Sequence, residues 1–171
     1  QTFGAPVSFI GTYEAPRARS VIHLASSGVP VRVWGNGWEK LRGRHENLKI
    51  EGRPAYNDEF AKVVAASMVN LCFLRHANRD LQTCRSIELP ACGGFMVHER
   101  NDEIEALLRD LREAVYFSDD DELLSLCRFW LDQEDRRKSV ATNARKRVEA
   151  LELSHQANIS RILGALDGMD R

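Results

Sequence analysis

The sequence predicts an α/β domain: a parallel sheet of five or six strands with helices on both faces. Three observations carry that expectation. Strand-like and helix-like segments alternate from the start of the chain to its last third, the pattern of a parallel sheet with crossover helices. The run "VNLCFL" at 69–74 is almost continuously apolar, as expected of a strand covered on both faces. No internal repeat or low-complexity linker interrupts the 171 residues, so residues 1–171 suit one domain, or one domain of a larger enzyme.

The elements follow in order. "PVSFIG" (6–11) is a short β-rich run closed by Gly11. "APRARSVIHLASSG" (15–28) places Val21, Ile22, Leu24 and Ala25 at helical spacing and stops at Gly28. "VPVRVWG" (29–35) is a second strand, and a polar loop leads to a third, "LKIEG" (48–52). "YNDEFAKVVAAS" (56–67) predicts a helix with Asn57 or Asp58 as its cap. After the strand at 69–74, "GFMVHE" (94–99) and "EAVYFS" (113–118) are strands, separated by a helix over 102–108. "DDDELLSLCRFWLDQ" (119–133) is an amphipathic helix with acids in its first turn. Two further helices complete the chain, at 134–153 and 154–169, the second with Ser154 as its cap. The basic run inside the first of these has acids on both sides and reads as a solvated face.

Composition narrows the function. Hydrophobic residues make up 43% and charged residues 29%, with a net charge of −1. Nothing in that balance points to nucleic acid or an anionic membrane. The apolar runs fall short of the roughly 18–20 residues needed to cross a bilayer. No signal-peptide pattern opens the chain. Cys72, Cys84, Cys92 and Cys127 form no CxxC pair and have no histidine cluster beside them, so zinc and redox readings are weak and a cytoplasmic setting is expected. The histidines are scattered; His76 and His98 fall near strand ends.

In parallel α/β folds ligands bind at the carboxyl ends of the strands, which singles out two loops. In "FIGTYEAPR", a strand ends at Gly11, Thr12 and Tyr13 follow, and a helix begins near Pro16. Backbone N–H groups at such a junction can approach a phosphate; a plain turn glycine fits the same letters. Arg17 and Arg19 can meet a diphosphate or face water. The stretch "FLRHANRDLQTCRSIELPACGG" (73–94) is more informative. Arg75 directly follows the apolar strand. Thr83 can cap a short helix whose free N–H groups face an anion. Arg85 and Glu88, three apart, share a face of that helix. Pro90 limits the helix, and Gly93 and Gly94 allow a tight exit. A carboxylate one turn beyond an anion-binding helix start can accept from the 2′ and 3′ hydroxyls of a ribose. Phosphate at the helix start and ribose on Glu88 together describe a nucleoside diphosphate. A surface pair between Arg85 and Glu88 is the alternative. Trp34 and Trp38 can stack on a base or sugar, but a core or loop-anchoring role fits them better.

On these stretches the chain resembles the C-terminal, nucleotide-sugar-binding half of glycosyltransferases of the GT-B fold, and within them the CgeB-like, spore-maturation family. The landmarks are "VSFIGTYEAPR", "VRVWGNGW", "NLCFLRHANRDLQTCRSIELPACGGFMVHER", "EAVYFSDDDELL" and "DRRKSVATNARKRV". The resemblance implies a Rossmann-like sheet that forms one half of a GT-B enzyme. It implies a nucleotide-diphosphate sugar as substrate, no cofactor and no metal. Gly11, Thr12, Tyr13, Arg17, Arg75, Thr83, Arg85 and Glu88 are the expected donor-binding residues, with Glu88 on the ribose. In retaining enzymes of the fold two acids have seven residues between them. Asp80 and Glu88 keep that separation, which makes Asp80 the expected catalytic acid at the donor sugar, although a glutamate is usual there. The partner that the resemblance implies is an N-terminal acceptor-binding domain, without which this chain is expected to bind donor and turn nothing over. A regulatory module that binds nucleotide sugar without catalysis is the rival reading. A flavodoxin-like receiver is weaker, because "LKIEG" offers no phospho-acceptor aspartate.

Overall fold

The computed structural model describes residues 3–152 and 155–169. Six strands form one sheet, all parallel, in the order β3-β2-β1-β4-β5-β6. They are β1 (Val7–Ile10), β2 (Val31–Trp34), β3 (Leu48–Ile50), β4 (Val69–Cys72), β5 (Met96–Glu99) and β6 (Val115–Phe117). The helices are α1 (Ala15–Ser26), α2 (Asn57–Ala66), α3 (Cys84–Ala91), α4 (Asp102–Leu107), α5 (Asp120–Leu131), α6 (Glu134–Ala150) and α7 (His155–Met169). This is the doubly wound arrangement that the alternating segments predict, with the strand count at the upper end of the expectation.

Successive strand side chains point to opposite faces, so the apolar runs feed two cores. On one face Val7, Phe9, Val33 and Leu71 pack with Leu24 of α1 and Leu123 of α5. On the other, Ile10, Trp34, Met96 and Tyr116 pack with Val63 of α2 and Leu89 of α3. Both faces of β4 are buried, which is why its sequence lacks the polar alternation of a half-exposed strand. Each fully buried side chain of this kind stabilises the fold by about 1.5–3 kcal/mol, so the two layers outweigh anything the surface ion pairs supply.

Local chemistry sets most element ends. Asp119 caps α5, its Oδ1 accepting from Glu122 N at 2.8 Å. Asn101 caps α4 through Ile104 N at 3.1 Å. The expected cap of α2 is corrected: Asn57 is already its first residue, the N-cap position is Tyr56, and no side chain caps it. The basic run in α6 is only in part a solvated face: Lys138–Glu134 and Arg145–Glu149 form i,i+4 pairs, but Arg137 is buried with Val140, Ala144 and Val148 and donates to Trp130 O and, at 2.7 Å, to Leu131 O. Ser154 lies outside the described residues, and so does its expected role as a cap.

The loop after β2 carries a turn of 3-10 helix at Glu39–Leu41 that periodicity did not signal. Trp38 closes it from inside. Its ring is fully buried against Phe9 and Tyr13, at centroid distances of 5.7 and 5.3 Å. Its Nε1 donates to Gly11 O at 2.9 Å. Gly35 makes this approach possible: its φ is +152°, and a Cβ there would stand 1.9 Å from Gly11 O. Gly35→Ala is therefore expected to cost about 2–4 kcal/mol of stability, from backbone strain plus the displaced loop. Urea denaturation of the variant checks this; an unchanged midpoint would show that the loop yields freely.

Candidate functional site

The strand order reverses its direction of growth between β1 and β4, and in such sheets the crevice beyond the strand ends at that point is where ligands sit. Here the loop after β1, the loop after β4 and the start of α3 meet around a cavity of about 110 Å³. Gly11, Arg17, Cys72, Thr83 and Arg85 are among the residues that line it. Four of the residues singled out in the sequence thus share one cavity at the carboxyl edge.

Arg17 ties the two loops together. It is 8% exposed, and its guanidinium donates to Thr12 O at 3.2 Å and to Leu74 O at 3.0 Å. Glu14 lies 3.2 Å from Arg17 Nη1, and the same carboxylate accepts from Arg75 Nε at 3.0 Å. Burial pulls the Arg17 guanidinium below its ordinary value, and Glu14 opposes that pull. Arg17 therefore reaches the site as a clamp on two carbonyls, and its Nε remains buried without a partner. Arg75 is half-exposed beyond Glu14. Thr12 contributes its carbonyl. Tyr13 turns away toward Trp38, with Lys40 Nζ 3.7 Å from its ring centroid.

The start of α3 follows from its sequence. Thr83 and Ser86 form a capping box, in which Ser86 Oγ accepts from Thr83 N at 3.1 Å. Arg85 pairs with Glu88 on the same helix face. Its Nε also lies 3.4 Å from Ile10 O, and its guanidinium stacks 4.2 Å from the centre of the Phe60 ring. Arg85 thus links α3 to the end of β1, next to Gly11. Glu88 keeps 43% of its side chain exposed and opens on a groove of about 870 Å³ between α3, the end of α6 and α7. The pair weighed as an alternative in the sequence is present; Arg85 lines the cavity at the strand ends, whereas Glu88 lies on the neighbouring groove and does not share that cavity with Gly11. Asp80 sits partly buried in the loop before α3, its N–H donating to Arg75 O at 3.3 Å.

Other contributors were not singled out as site residues. Glu14 is one: its ion pairs are with a residue of the helix it precedes and one 61 positions away, and the second cannot be read from spacing. Glu99 is another. Its Oε2 accepts from Leu74 N at 2.8 Å, and its Oε1 meets His76 Nε2 at 2.6 Å, so the end of β5 fixes the loop after β4. His98 is fully buried, its Nε2 2.8 Å from Ser86 Oγ. Burial pushes the Cys72 thiol up, but the imidazole beside it prevails and holds the thiol below its ordinary value. Burial likewise lowers His98, and Cys72 more than offsets it. Among the described residues no three His, Cys, Asp or Glu side chains stand together as a metal site. No described helix is long and apolar enough to cross a membrane.

Comparison with known proteins gives this edge a family. The model of a family described as glycosyl transferase-like matches residues 17–164, which includes every residue from Arg17 to Glu88 just placed. The chain belongs to the glycosyl transferase-like family. A search of curated proteins by sequence found no match. Solved structures of similar fold include Anabaena Alr3699/HepE in complex with UDP and glucose. It aligns with a TM-score of 0.75 and 14% identity over 96% of this chain and 48% of that one. Sucrose-phosphate synthase from Thermosynechococcus elongatus gives 0.72 and 14% over 95% and 45%. The C-terminal domain of a group 1 glycosyl transferase (LpcC) from Francisella tularensis gives 0.67 and 12% over 86% of this chain and 85% of that domain. This member of the glycosyl transferase-like family thus spans slightly under half of the longer relatives and most of an isolated C-terminal domain. Its fold is that of one Rossmann-like half of a GT-B glycosyltransferase.

Proposed function

We propose that this chain is the donor-binding half of a CgeB-like glycosyltransferase, which holds a nucleotide-diphosphate sugar for transfer to an acceptor carried by a second domain. The observation that carries the reading is the position of α3. Its start and Arg85 stand at the crevice between β1 and β4, Arg85 reaching Ile10 O, and Glu88 is paired with Arg85 on the side of the neighbouring groove. On this reading the first-turn N–H groups of α3 and the guanidinium of Arg85 face the diphosphate, while Glu88 accepts from the ribose hydroxyls. Arg85 exchanges part of its contact with Glu88 for phosphate oxygens when the ligand enters. Gly11 brings the backbone close, and Arg17 and Glu14 hold its loop against the end of β4. Asp80 lies on the loop that leads into α3 and is assigned to the donor sugar. The UDP and glucose bound to Alr3699/HepE make a uridine donor the first to try.

Helix dipole and guanidinium supply the positive charge that the leaving diphosphate needs, so we propose that donor binding requires no divalent cation. The four cysteines are free, which fits the reducing cytoplasm proposed as its setting. Calorimetric titration of the chain with UDP, ADP, GDP, CDP and TDP, and with their nucleosides, tests the reading. One diphosphate is expected to bind more tightly than its nucleoside, with the same Kd in EDTA as in magnesium. Absence of binding to every diphosphate would overturn it. Transfer is expected only when the acceptor domain is present; a chain that binds donor but supports no transfer in the full protein would favour a regulatory module.

A further inference from the structure

We propose that His98, which no ligand can touch, is a positioning residue for the donor site: through Ser86 it fixes the first turn of α3, the part assigned above to the diphosphate. The inference rests on that assignment, but its geometry stands independently. His98 lies on β5 directly beside Cys72 of β4, paired in register, on the sheet face that α3 covers. Both side chains therefore come up beneath the helix start. His98 is 0% exposed and Ser86 is 0% exposed, so the bond between them is not exchanged with water. His98 Nδ1 lies 2.5 Å from Glu99 O. A carbonyl only accepts, so Nδ1 carries its hydrogen whatever the charge of the ring. Nε2 is 2.8 Å from Ser86 Oγ. Cys72 Sγ closes the cluster at 3.8 Å from Thr83 Oγ1 and 3.9 Å from Ser86 Oγ.

The bond order of the cluster holds in both charge states of the ring. With neutral His98, Nε2 accepts the Ser86 hydroxyl hydrogen, and the Oγ lone pairs accept the Thr83 N–H. With protonated His98, Nε2 donates to Oγ, the hydroxyl hydrogen turns to Cys72 Sγ, and Oγ still accepts from Thr83 N. Of the other ionisable groups at the ring, Cys72 bonds to it as part of the same cluster, and the remaining two are committed elsewhere. Tyr116, packed at a centroid distance of 6.0 Å from β6, spends its hydroxyl on Leu108 O and Ile104 O. The Glu99 carboxylate is taken by Leu74 N and His76. Ser86 Oγ thus keeps its place in both states, only its hydrogen turning, and accepts from Thr83 N throughout. A serine alone at this third helical position would rotate, and the start of α3 would fray. The sheet, through His98, sets the direction in which the helix start points.

Three variants of the full chain test this: His98→Leu, which removes the partner; Ser86→Ala, which removes the intermediary; and His98→Gln, whose amide reaches Ser86 and can accept or donate. Each is titrated, at a temperature where it is folded, with the nucleoside diphosphate that the parent binds among UDP, ADP, GDP, CDP and TDP, and with the matching nucleoside. Amide exchange at residues 83–87 is followed without ligand. His98→Leu and Ser86→Ala are expected to bind the diphosphate about three- to tenfold more weakly, the scale of one neutral hydrogen bond, with the nucleoside unchanged. The double variant His98→Leu/Ser86→Ala should be no worse than either single one, because both act through one chain of bonds. His98→Gln should restore affinity and slow exchange. Equal losses for nucleoside and diphosphate, additive losses in the double variant, or unaltered exchange at 83–87 would overturn the inference. If His98→Leu does not fold, Ser86→Ala and His98→Gln decide it. A parent that binds no diphosphate overturns the donor-site reading instead, while the exchange data still decide whether His98 orders the start of α3.

Discussion

Trp38→Ala is expected to lower the unfolding free energy by about 3–5 kcal/mol, the range for truncating a buried tryptophan. The ring is fully buried and meets Phe9 and Tyr13 edge-on, so alanine leaves a cavity that the short loop after β2 cannot collapse into. A second loss follows from chemistry. Trp38 Nε1 is the donor to Gly11 O, and without it that carbonyl is free to turn at the edge where the diphosphate is placed. Donor affinity should fall even in variant protein that is folded. Trp38→Phe separates the two effects: it refills most of the cavity but brings no donor, so stability should recover more than affinity. Urea melts and titrations of both variants check this, and a loss below about 1 kcal/mol for Trp38→Ala would mean that the loop repacks without cost.

Glu88→Ala is expected to weaken nucleoside diphosphate binding by about 1–3 kcal/mol, the scale of hydrogen bonds to a charged group. Its stability should change by under about 1 kcal/mol, because Arg85 and Glu88 are 31% and 43% exposed and water screens pairs of that kind. Glu88→Gln keeps an acceptor oxygen without the charge and should fall between. Arg85→Ala divides the ligand differently: it should cost the diphosphate more than the nucleoside, whereas Glu88→Ala should cost both. The division matters because Arg85 contacts Glu88, Ile10 O and the Phe60 ring. A general collapse of the α3 edge would make the two variants alike. Isothermal titration of the three proteins against nucleoside and diphosphate reads the difference.

The sheet was legible because each strand is an apolar run between turn signals, and the helices because their apolar residues recur at helical spacing. The order of strands was not, since periodicity says which face a residue occupies and nothing about its neighbour across the sheet. The Thr83 cap and the shared face of Arg85 and Glu88 were legible, being contacts three residues apart. Long-range partners were not. Arg17 reads as a cation for phosphate, and only its distance from Leu74 O shows the guanidinium committed to two carbonyls. His98 reads as an ordinary polar residue at a strand end, because its bond to Ser86 depends on β5 lying beneath α3. Asn57 reads as a helix cap, yet the structure starts α2 there with no capping side chain.

The central claim is that Glu88 holds a ribose through two hydroxyls. The most direct test is a cycle between the protein and the sugar, with UDP and 2′-deoxy-UDP each titrated into the parent and into Glu88→Ala. The parent should prefer the ribonucleotide by about tenfold or more, the worth of one hydrogen bond to a carboxylate, and Glu88→Ala should bind the two alike. The same preference in both proteins would contradict the assignment and leave Glu88 as the partner of Arg85 alone.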